Sequence, residues 1–313
     1  MARRTIVISD LHLGRGSVTL PRMLAPILAG ADEIVVNGDV AELHLPLHRD
    51  AAARGLESLR KRADRSGADL RLIAGNHDPL VSPCRSATLA DGAVFLTHGD
   101  AVHPSVAPWS PAASALQEAF IRHLEAIPPQ ERGRLESVLA ASREAASTEW
   151  AQRHADRGSG KPWRLLGRPL ALLRIALFWR EYPALVADFG LKHAPHSEFL
   201  LVGHSHMPGA WRIGSRLVVN TGAFAFPRRP HAAVVEGRSM SLCPLVLRQG
   251  FYELGEPREG WSWELPARHG GDAIAAANAR EGNARPSAAP MPLAAPMTAS
   301  KSMPVATPLR SHR

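Results

Sequence analysis

The chain has 313 residues, of which 45% are apolar, and a formal net charge of +8; this is the composition of a globular protein with one large domain or two small ones. Its two cysteines, Cys84 and Cys243, lie far apart and match no zinc-binding spacing, which favours a reduced compartment. Half of the charge excess lies in residues 267–313, so the charge does not indicate a nucleic-acid-binding surface on the folded part.

The first hundred residues alternate strand and helix patterns. Strands are predicted at 4–9, 33–37, 69–74 and 93–97, with a short helix after Pro21 and an amphipathic helix from Asp50 to Ser66. This alternation predicts an α/β sheet with helices on both faces. After Arg3 and Arg4, only Ile6-Val7-Ile8 precedes Ser9-Asp10, which is a strand rather than the apolar region of a secretory signal, so we do not expect such a signal there.

Residues 101–196 contain no strand pattern and are interpreted as a helical insertion between the fourth and fifth strands. Helices are predicted at Ser114–Leu124, Pro129–Trp150 and Arg168–Phe189. Residues 153–180 combine seven basic residues with many Leu and Trp residues. This pattern fits a helix packed on the core with a solvated basic face. It also fits a lid over an anionic, partly apolar substrate, or a peripheral contact with a membrane surface.

The strand pattern resumes at 198–203 and continues at 216–220, 231–236 and 239–247, as in an antiparallel second half. Folding is expected to end near Pro266, because Ala, Pro, Met and Ser dominate residues 267–313, a composition typical of disorder. We therefore predict one domain, residues 1–266, and a disordered tail. The longest apolar segment, Pro169–Trp179, contains Arg174 and is too short to span a bilayer. Together with the reduced compartment that the cysteines favour, this leads us to expect a cytoplasmic protein or one peripheral to the inner face of a membrane.

Five of the predicted strands end in Asp, Asn or His. Because strand ends in an open, mostly parallel sheet share one edge, these side chains are expected to converge there. Seven oxygen and nitrogen donors without a thiolate are too many for one tetrahedral zinc and suit two divalent metals. The candidate ligands are Asp10, His12, Asp39, Asn76, His98, His204 and His206.

Asp39 is the expected bridge between the two metals. One metal would take Asp10, His12, Asp39 and one histidine of the pair 204/206; the other would take Asp39, Asn76, His98 and the remaining histidine. Residues i and i+2 of an extended segment point the same way, which would let both ends of Asp10-x-His12 and of His204-x-His206 reach the metals.

In this order, these motifs resemble the calcineurin-like metallophosphoesterase family over residues 4 to about 236. The motifs are Asp10-x-His12, Gly38-Asp39, Gly75-Asn76-His77-Asp78, His98-Gly99-Asp100 and Gly203-His204-x-His206. The resemblance implies a two-sheet α/β sandwich with a β-α-β-α-β core. It also implies that His206 binds with Asp10 and His12, and that His204 binds with Asn76 and His98.

The expected reaction is hydrolysis of a phosphoester or pyrophosphate by a hydroxide that bridges the two metals. Manganese is the expected metal, with iron and zinc as alternatives that the ligands suit equally. The resemblance makes His77 the catalytic residue that protonates the leaving oxygen, and Asp78 is expected to orient the His77 ring. The expected partner is a phosphorylated small molecule or a nucleotide-linked lipid.

Within the family, the chain is most similar to the UDP-2,3-diacylglucosamine hydrolase branch. The similarity rests on Ser9-Asp10-Leu11-His12-Leu13, on Glu42 and Pro208, and on the position of the insertion; the chain departs from that branch at His77, where its best-known members have arginine. The leading prediction is therefore a phosphoesterase of unknown substrate.

Three alternatives stay open: a hydrolase of a nucleotide-linked lipid precursor, a DNA exonuclease of the double-strand-break repair type, and a non-catalytic scaffold. The exonuclease would need a capping domain after the core, and a scaffold would not need every ligand position filled.

Overall fold

The structure is a computed structural model that describes residues 2–15, 18–155, 169–225 and 229–263. The disorder predicted for 267–313 lies outside the described residues, as do the basic residues at 157–168. Within the described part, no helix combines the length and the apolar content that crossing a membrane requires.

The described strands and helices alternate up to β3, and three long helices interrupt the strands after β5. The elements are β1 (Arg4–Ile8), α1 (Leu20–Met23), α2 (Ala25–Ala29), β2 (Glu33–Asn37), α3 (Pro46–Ser66), β3 (Asp69–Ile73), β4 (Ser86–Leu89), β5 (Val94–Thr97), α4 (Ala113–Glu125), α5 (Leu135–Ala155), α6 (Pro169–His193), β6 (Phe199–Val202), β7 (Gly209–Ile213), β8 (Arg216–Asn220), β9 (His231–Glu236), β10 (Ser239–Arg248), β11 (Phe251–Leu254) and β12 (Glu259–Ser262).

Among the described residues, these strands form two sheets, which confirms the predicted two-sheet α/β fold. The first sheet has the order β11-β10-β9-β1-β2-β3, with β12 also paired to β10, and the second has the order β4-β5-β6-β8-β7. β1, β2 and β3 are parallel, and so are β5, β6 and β8. The expectation that all five motif strands share one sheet edge is wrong, because two motifs follow strands of the second sheet.

Alternating side chains separate the core into layers. Ile6 and Ile8 of β1 pack against α1, α2 and α3. Val7, between them, packs with Val94 and Leu96 of the second sheet. This alternation is the period of two expected for a strand covered on both faces. Through Val7 and its neighbours the two sheets pack face to face.

The helical insertion covers the outer face of the second sheet. Leu116 of α4, Leu139 of α5 and Tyr182 of α6 pack with Leu200 and Val218 of the sheet. The helices of the insertion therefore pack on the core. The described elements form four layers in the order helices, first sheet, second sheet, helices. On α6 the side chains of Leu172, Leu173 and Leu177 remain exposed.

Two details of the predicted element order are wrong. The insertion follows the fifth strand, because β4 was not predicted, and α5 begins at Leu135 rather than at Pro129. β4, β7, β11 and β12 are short and half exposed, so they carry no apolar run to reveal them. β3 is likewise an edge strand, with Asp69 and Arg71 exposed, although its sequence predicts a buried strand.

Candidate metal centre

The first group of predicted ligands lies where β1, β2 and β6 end. Ligand atoms of Asp10, His12, Asp39 and His206 all lie within 4.8 Å of one another. The His206 Nε2 atom is 3.2 Å from the His12 Nε2 atom and 3.2 Å from an Asp10 carboxylate oxygen. Two imidazole nitrogens and two carboxylates that face one another at this spacing form a donor set for a divalent cation.

The second group lies beside the first and contains Asp39, Asn76, His98 and His204. The His204 Nδ1 atom is 3.0 Å from the Asn76 Oδ1 atom, and the His98 Nε2 atom is 3.3 Å from the Asp39 Oδ1 atom. The rings of His98 and His204 have centroids 5.2 Å apart. The structure thus brings the seven predicted ligands together in two adjacent groups.

Asp39 is the carboxylate that the two groups share. Its Oδ1 atom faces His98, while its Oδ2 atom lies 3.7 Å from the His12 Nε2 atom. The backbone amide of His77 donates to Oδ1 at 2.8 Å, which holds the carboxylate in this orientation. A carboxylate with one oxygen toward each group is the arrangement that bridges two cations.

The backbone at the ligands is left-handed rather than extended. Asp10, His12, Asp39, His204 and His206 have φ angles of 55°, 46°, 49°, 65° and 58°. The predicted reason for the convergence of residues i and i+2, an extended segment, is therefore wrong. Non-glycine residues in this region store strain of about 1–3 kcal/mol each, and such strain concentrates at functional sites.

Three ligand histidines have one ring nitrogen fixed by an acceptor outside the cluster. The His98 Nδ1–H donates to the Asn37 carbonyl at 3.0 Å, and the His204 Nε2–H donates to the Val106 carbonyl at 2.7 Å. The His12 Nδ1 atom lies 2.9 Å from a Glu42 carboxylate oxygen. The other nitrogen of each ring therefore faces the cluster, which is the orientation that metal-binding histidines require.

The charge of the cluster also suits cations. Burial by itself lowers the pKa of His98, but the carboxylates of Asp39, Asp10 and Asp100 together outweigh burial and raise that pKa to about 10. Burial, together with the neighbouring His98, lowers the pKa of His204 to about 4. The buried His98 Nε2 atom faces the Asp39 Oδ1 atom at 3.3 Å without forming a well-aligned hydrogen bond. A buried nitrogen that faces a carboxylate in this way fits a divalent cation.

His77 lies at the edge of the cluster, and Glu42 rather than Asp78 orients it. The His77 Nδ1 atom lies 3.1 Å and 3.2 Å from the two carboxylate oxygens of Glu42. The predicted role of Asp78 is wrong, because its carboxylate accepts the backbone amides of Val40, Ala41 and Gly75 and clamps two loops together.

Glu42 therefore contacts both a predicted ligand and the predicted acid, and the guanidinium of Arg15 lies 3.3 Å away. Burial raises the pKa of Glu42, but His77 and His12 outweigh burial and hold it well below its ordinary value. The sequence predicts no role for Glu42 and offers it only as a point of resemblance. The available signal was its position three residues after Asp39, on the same loop at the end of β2.

Access to the cluster is uneven. The side chains of His77 and His206 are 15% and 24% exposed, whereas Asp10, His12, Asp39 and His98 are at most 2% exposed. A ligand in solution would therefore meet the centre on the side of His77 and His206.

Comparison with known proteins identifies a family. A model described as the calcineurin-like phosphoesterase superfamily domain matches residues 4–239. No curated protein matches the chain.

Several solved structures resemble the chain at low identity. A dimetal phosphatase from Danio rerio has 14% identity and a TM-score of 0.43, covering 78% of this chain and 96% of its own. A Vps29 mutant from Entamoeba histolytica has 12% identity and a TM-score of 0.40, covering 83% and 99%. A predicted phosphoesterase from Streptococcus pneumoniae has 15% identity and a TM-score of 0.34, covering 82% and 99%. These values are too low to support an inference about the activity of this chain.

Proposed function

Because the chain belongs to the calcineurin-like phosphoesterase superfamily, we propose that it hydrolyses a phosphoester with two divalent cations held by its seven clustered ligands. The observation that carries this proposal is Asp39, whose two carboxylate oxygens each face one ligand group. Manganese is the proposed metal, and iron and zinc have the same ligand preferences at such a site.

Two adjacent cations, when bound, supply a nucleophile at neutral pH and neutralise the phosphoryl oxygens. The residues of the chain supply the rest. Asp10, His12 and His206 would hold one cation, Asn76, His98 and His204 the other, and Asp39 would bridge them. Because His77 borders the accessible side of the cluster, we propose that it donates a proton to the leaving oxygen. Glu42 holds the His77 Nδ1–H, which leaves Nε2 for this proton transfer.

A second candidate function is hydrolysis of a nucleotide-linked lipid precursor. It is favoured by the exposed side chains of Leu172, Leu173 and Leu177 on α6. These side chains would contact an acyl chain of the substrate or the inner face of a membrane. Its test is incubation with a UDP-linked diacyl sugar. Release of UMP would support it, and no release at micromolar enzyme would set this substrate aside.

The proposed activity is tested by a substrate panel and one variant. Purified protein with manganese should hydrolyse an aryl phosphate monoester or diester, or a pyrophosphate. Asp39→Ala should abolish this turnover while its circular dichroism spectrum stays native. The control is Asp69→Ala, which removes an exposed carboxylate of β3 that pairs with Arg3 and should leave turnover unchanged. Unchanged turnover in Asp39→Ala would refute the dimetal reaction.

Metal content tests the scaffold alternative, and DNA binding tests the exonuclease alternative. A non-catalytic scaffold should purify without two stoichiometric cations and should hydrolyse none of the substrates. An exonuclease should bind duplex DNA with an affinity that falls steeply as salt increases.

A further inference from the structure

We propose that the helical insertion builds the second cation site, with Trp150 and Tyr182 as positioning residues and the Val106 carbonyl as the fixed acceptor for His204. Occupancy of the second site (Asn76, His98 and His204 with Asp39) then depends on the insertion, whereas occupancy of the first site does not. This inference rests on the proposed function for the existence of two cations.

The insertion encloses the His204 ring. The Val106 carbonyl accepts the His204 Nε2–H at 2.7 Å, and the Trp109 ring lies 5.2 Å from the His204 ring between centroids. Val106 is fully buried and has a φ angle of 55°, which is a marked outlier for a β-branched residue. This strained backbone aims the carbonyl at His204, and His204 consequently presents Nδ1 to Asn76 and the cluster.

Helix α5 holds Asn76. The Trp150 Nε1–H donates to the Asn76 carbonyl at 3.1 Å, and the buried Trp150 ring also packs edge-on against the His77 ring, with centroids 5.4 Å apart. Asn76 lies in the loop after β3, so this hydrogen bond ties a loop residue to helix α5. The side-chain oxygen of Asn76 is thereby kept 3.0 Å from the His204 Nδ1 atom.

Helix α6 lies between two motifs. The Tyr182 hydroxyl donates to the Gly203 carbonyl at 3.2 Å, next to His204. A Cβ atom at position 99 would overlap this hydroxyl, so the glycine that follows His98 is needed for Tyr182 to approach. Tyr182 therefore packs against the backbones next to both His98 and His204 and adds to the direct hydrogen bond from the Gly203 amide to the His98 carbonyl.

A buried ion pair fastens α5 beside the same strand end. The Arg85 guanidinium lies 2.6 Å from the Asp100 carboxylate, and the Ser142 hydroxyl of α5 donates to the same carboxylate oxygen. Asp100 is two residues after His98, so the insertion is anchored at the edge of the second site.

The first site is supported by the core of the fold instead. Glu42 holds the ring of His12, and the amide of Phe224 donates to the backbone carbonyl of Asp10. The His204 amide lies 3.2 Å from the Asp10 carboxylate. Apart from the Gly203–His204 peptide, which contacts both Tyr182 and Asp10, the two sites are thus supported by different elements.

The test measures the affinity of each cation rather than turnover. Full-length protein is stripped of metal with a chelator and titrated with manganese by calorimetry, while electron paramagnetic resonance distinguishes an isolated Mn²⁺ ion from a coupled pair. The variants are Tyr182→Phe, which removes one hydroxyl, Trp150→Phe, which removes one N–H donor, and the double variant. The matched control is Leu139→Val, which trims the packing of α5 on the core without removing a hydrogen bond.

We expect each variant to bind one cation as the wild type does and the second cation about 10–100-fold more weakly, the usual effect of losing a partner of a metal ligand. The spectrum of the double variant should be that of isolated ions at a cation concentration that gives coupled pairs in the wild type. Leu139→Val should bind both cations with wild-type affinity.

Three results would overturn the inference: both sites unchanged in the double variant, both sites weakened equally, or the same loss in Leu139→Val. If Trp150→Phe fails to fold, Tyr182→Phe carries the test. A wild type that binds fewer than two cations would refute the proposed function as well, whereas two cations bound with wild-type affinity in every variant would refute the inference alone.

Discussion

Glu42→Gln is the sharpest test of how the centre is organised. The glutamate is fully buried, and its carboxylate lies 2.9 Å from the His12 Nδ1 atom and 3.1 Å from the His77 Nδ1 atom. A glutamine has nearly the same shape but only one acceptor oxygen, and its amide group donates. The His77 Nδ1 atom lies 3.1 Å and 3.2 Å from the two carboxylate oxygens, so the NH₂ group of the glutamine faces the His77 N–H in either orientation. In one of the two orientations it also faces the His12 N–H.

The size of the effect follows from that lost bond. A hydrogen bond to a charged group contributes about 1.5–3 kcal/mol, which corresponds to about a 10–150-fold change in an equilibrium or rate constant. If the loss falls on His12, affinity for the first cation decreases; if it falls on His77, kcat decreases for substrates with poor leaving groups. We expect kcat/KM to fall by about this factor.

The assay combines manganese titration with kcat and KM for an alkyl and an aryl phosphate ester. Glu33→Gln is the matched control, because Glu33 is also buried and ion-paired, with Arg71 at 2.9 Å, but lies at the opposite end of β2. Metal affinity and kcat/KM equal to those of the wild type in Glu42→Gln would refute this account of the centre.

Four further variants test other parts of the structure. His77→Asn should slow alkyl esters about 10²–10⁴-fold and affect nitrophenyl esters, which need no acid, far less; equal losses would contradict its role as proton donor. Asp78→Asn should lower the free energy of unfolding by about 1–3 kcal/mol in denaturant titrations, because asparagine has one acceptor oxygen and its NH₂ group would face either the amide of Gly75 or those of Val40 and Ala41. Gly203→Ala should weaken cation binding in calorimetry, because its Cβ atom would overlap the carboxylate of Asp10; wild-type affinity would contradict the geometry. Burial lowers the pKa of His231 below 6.5, so the folded protein favours the neutral ring, and this contribution to stability is complete above pH 6.5 and lost as the pH falls below it. His231→Gln should therefore reduce the acid-side loss of stability, by at most about 1.4 kcal/mol per pH unit.

The ends of the motif strands could be predicted because they carry a local signal. An apolar run followed by Asp, Asn or His reports a buried strand and a polar strand end within a few residues, as at Val7–Asp10 and Leu201–His204. The helices of the insertion were equally visible from their composition. Short edge strands such as β7 and β12 were not, since half of their residues face solvent.

The partners of the predicted residues could not be found in this way. Asp78 is adjacent to His77 in sequence, yet Glu42 contacts the ring, because the loops after β2 and β3 pack side by side and place a residue 35 positions away within 3.2 Å. The left-handed backbone at Asp10 and His12 was also invisible, because it is imposed by the packing of two loops.

By itself, the sequence determined which side chains are available for metal and proton chemistry and that each follows a strand. Only the tertiary structure decided how they combine: two sheets pressed face to face bring separate strand ends together, and Asp39 lies between the two groups. The insertion shows the same division, since its sequence reports helices and basic residues, whereas the contacts of Trp150 with Asn76 and of Tyr182 with Gly203 exist only once those helices pack on the second sheet. The physical reason is the distance along the chain over which each feature is determined. Strand and helix patterns are encoded within a few neighbouring residues. Hydrogen bonds between residues 20 to 200 positions apart depend instead on how whole layers pack.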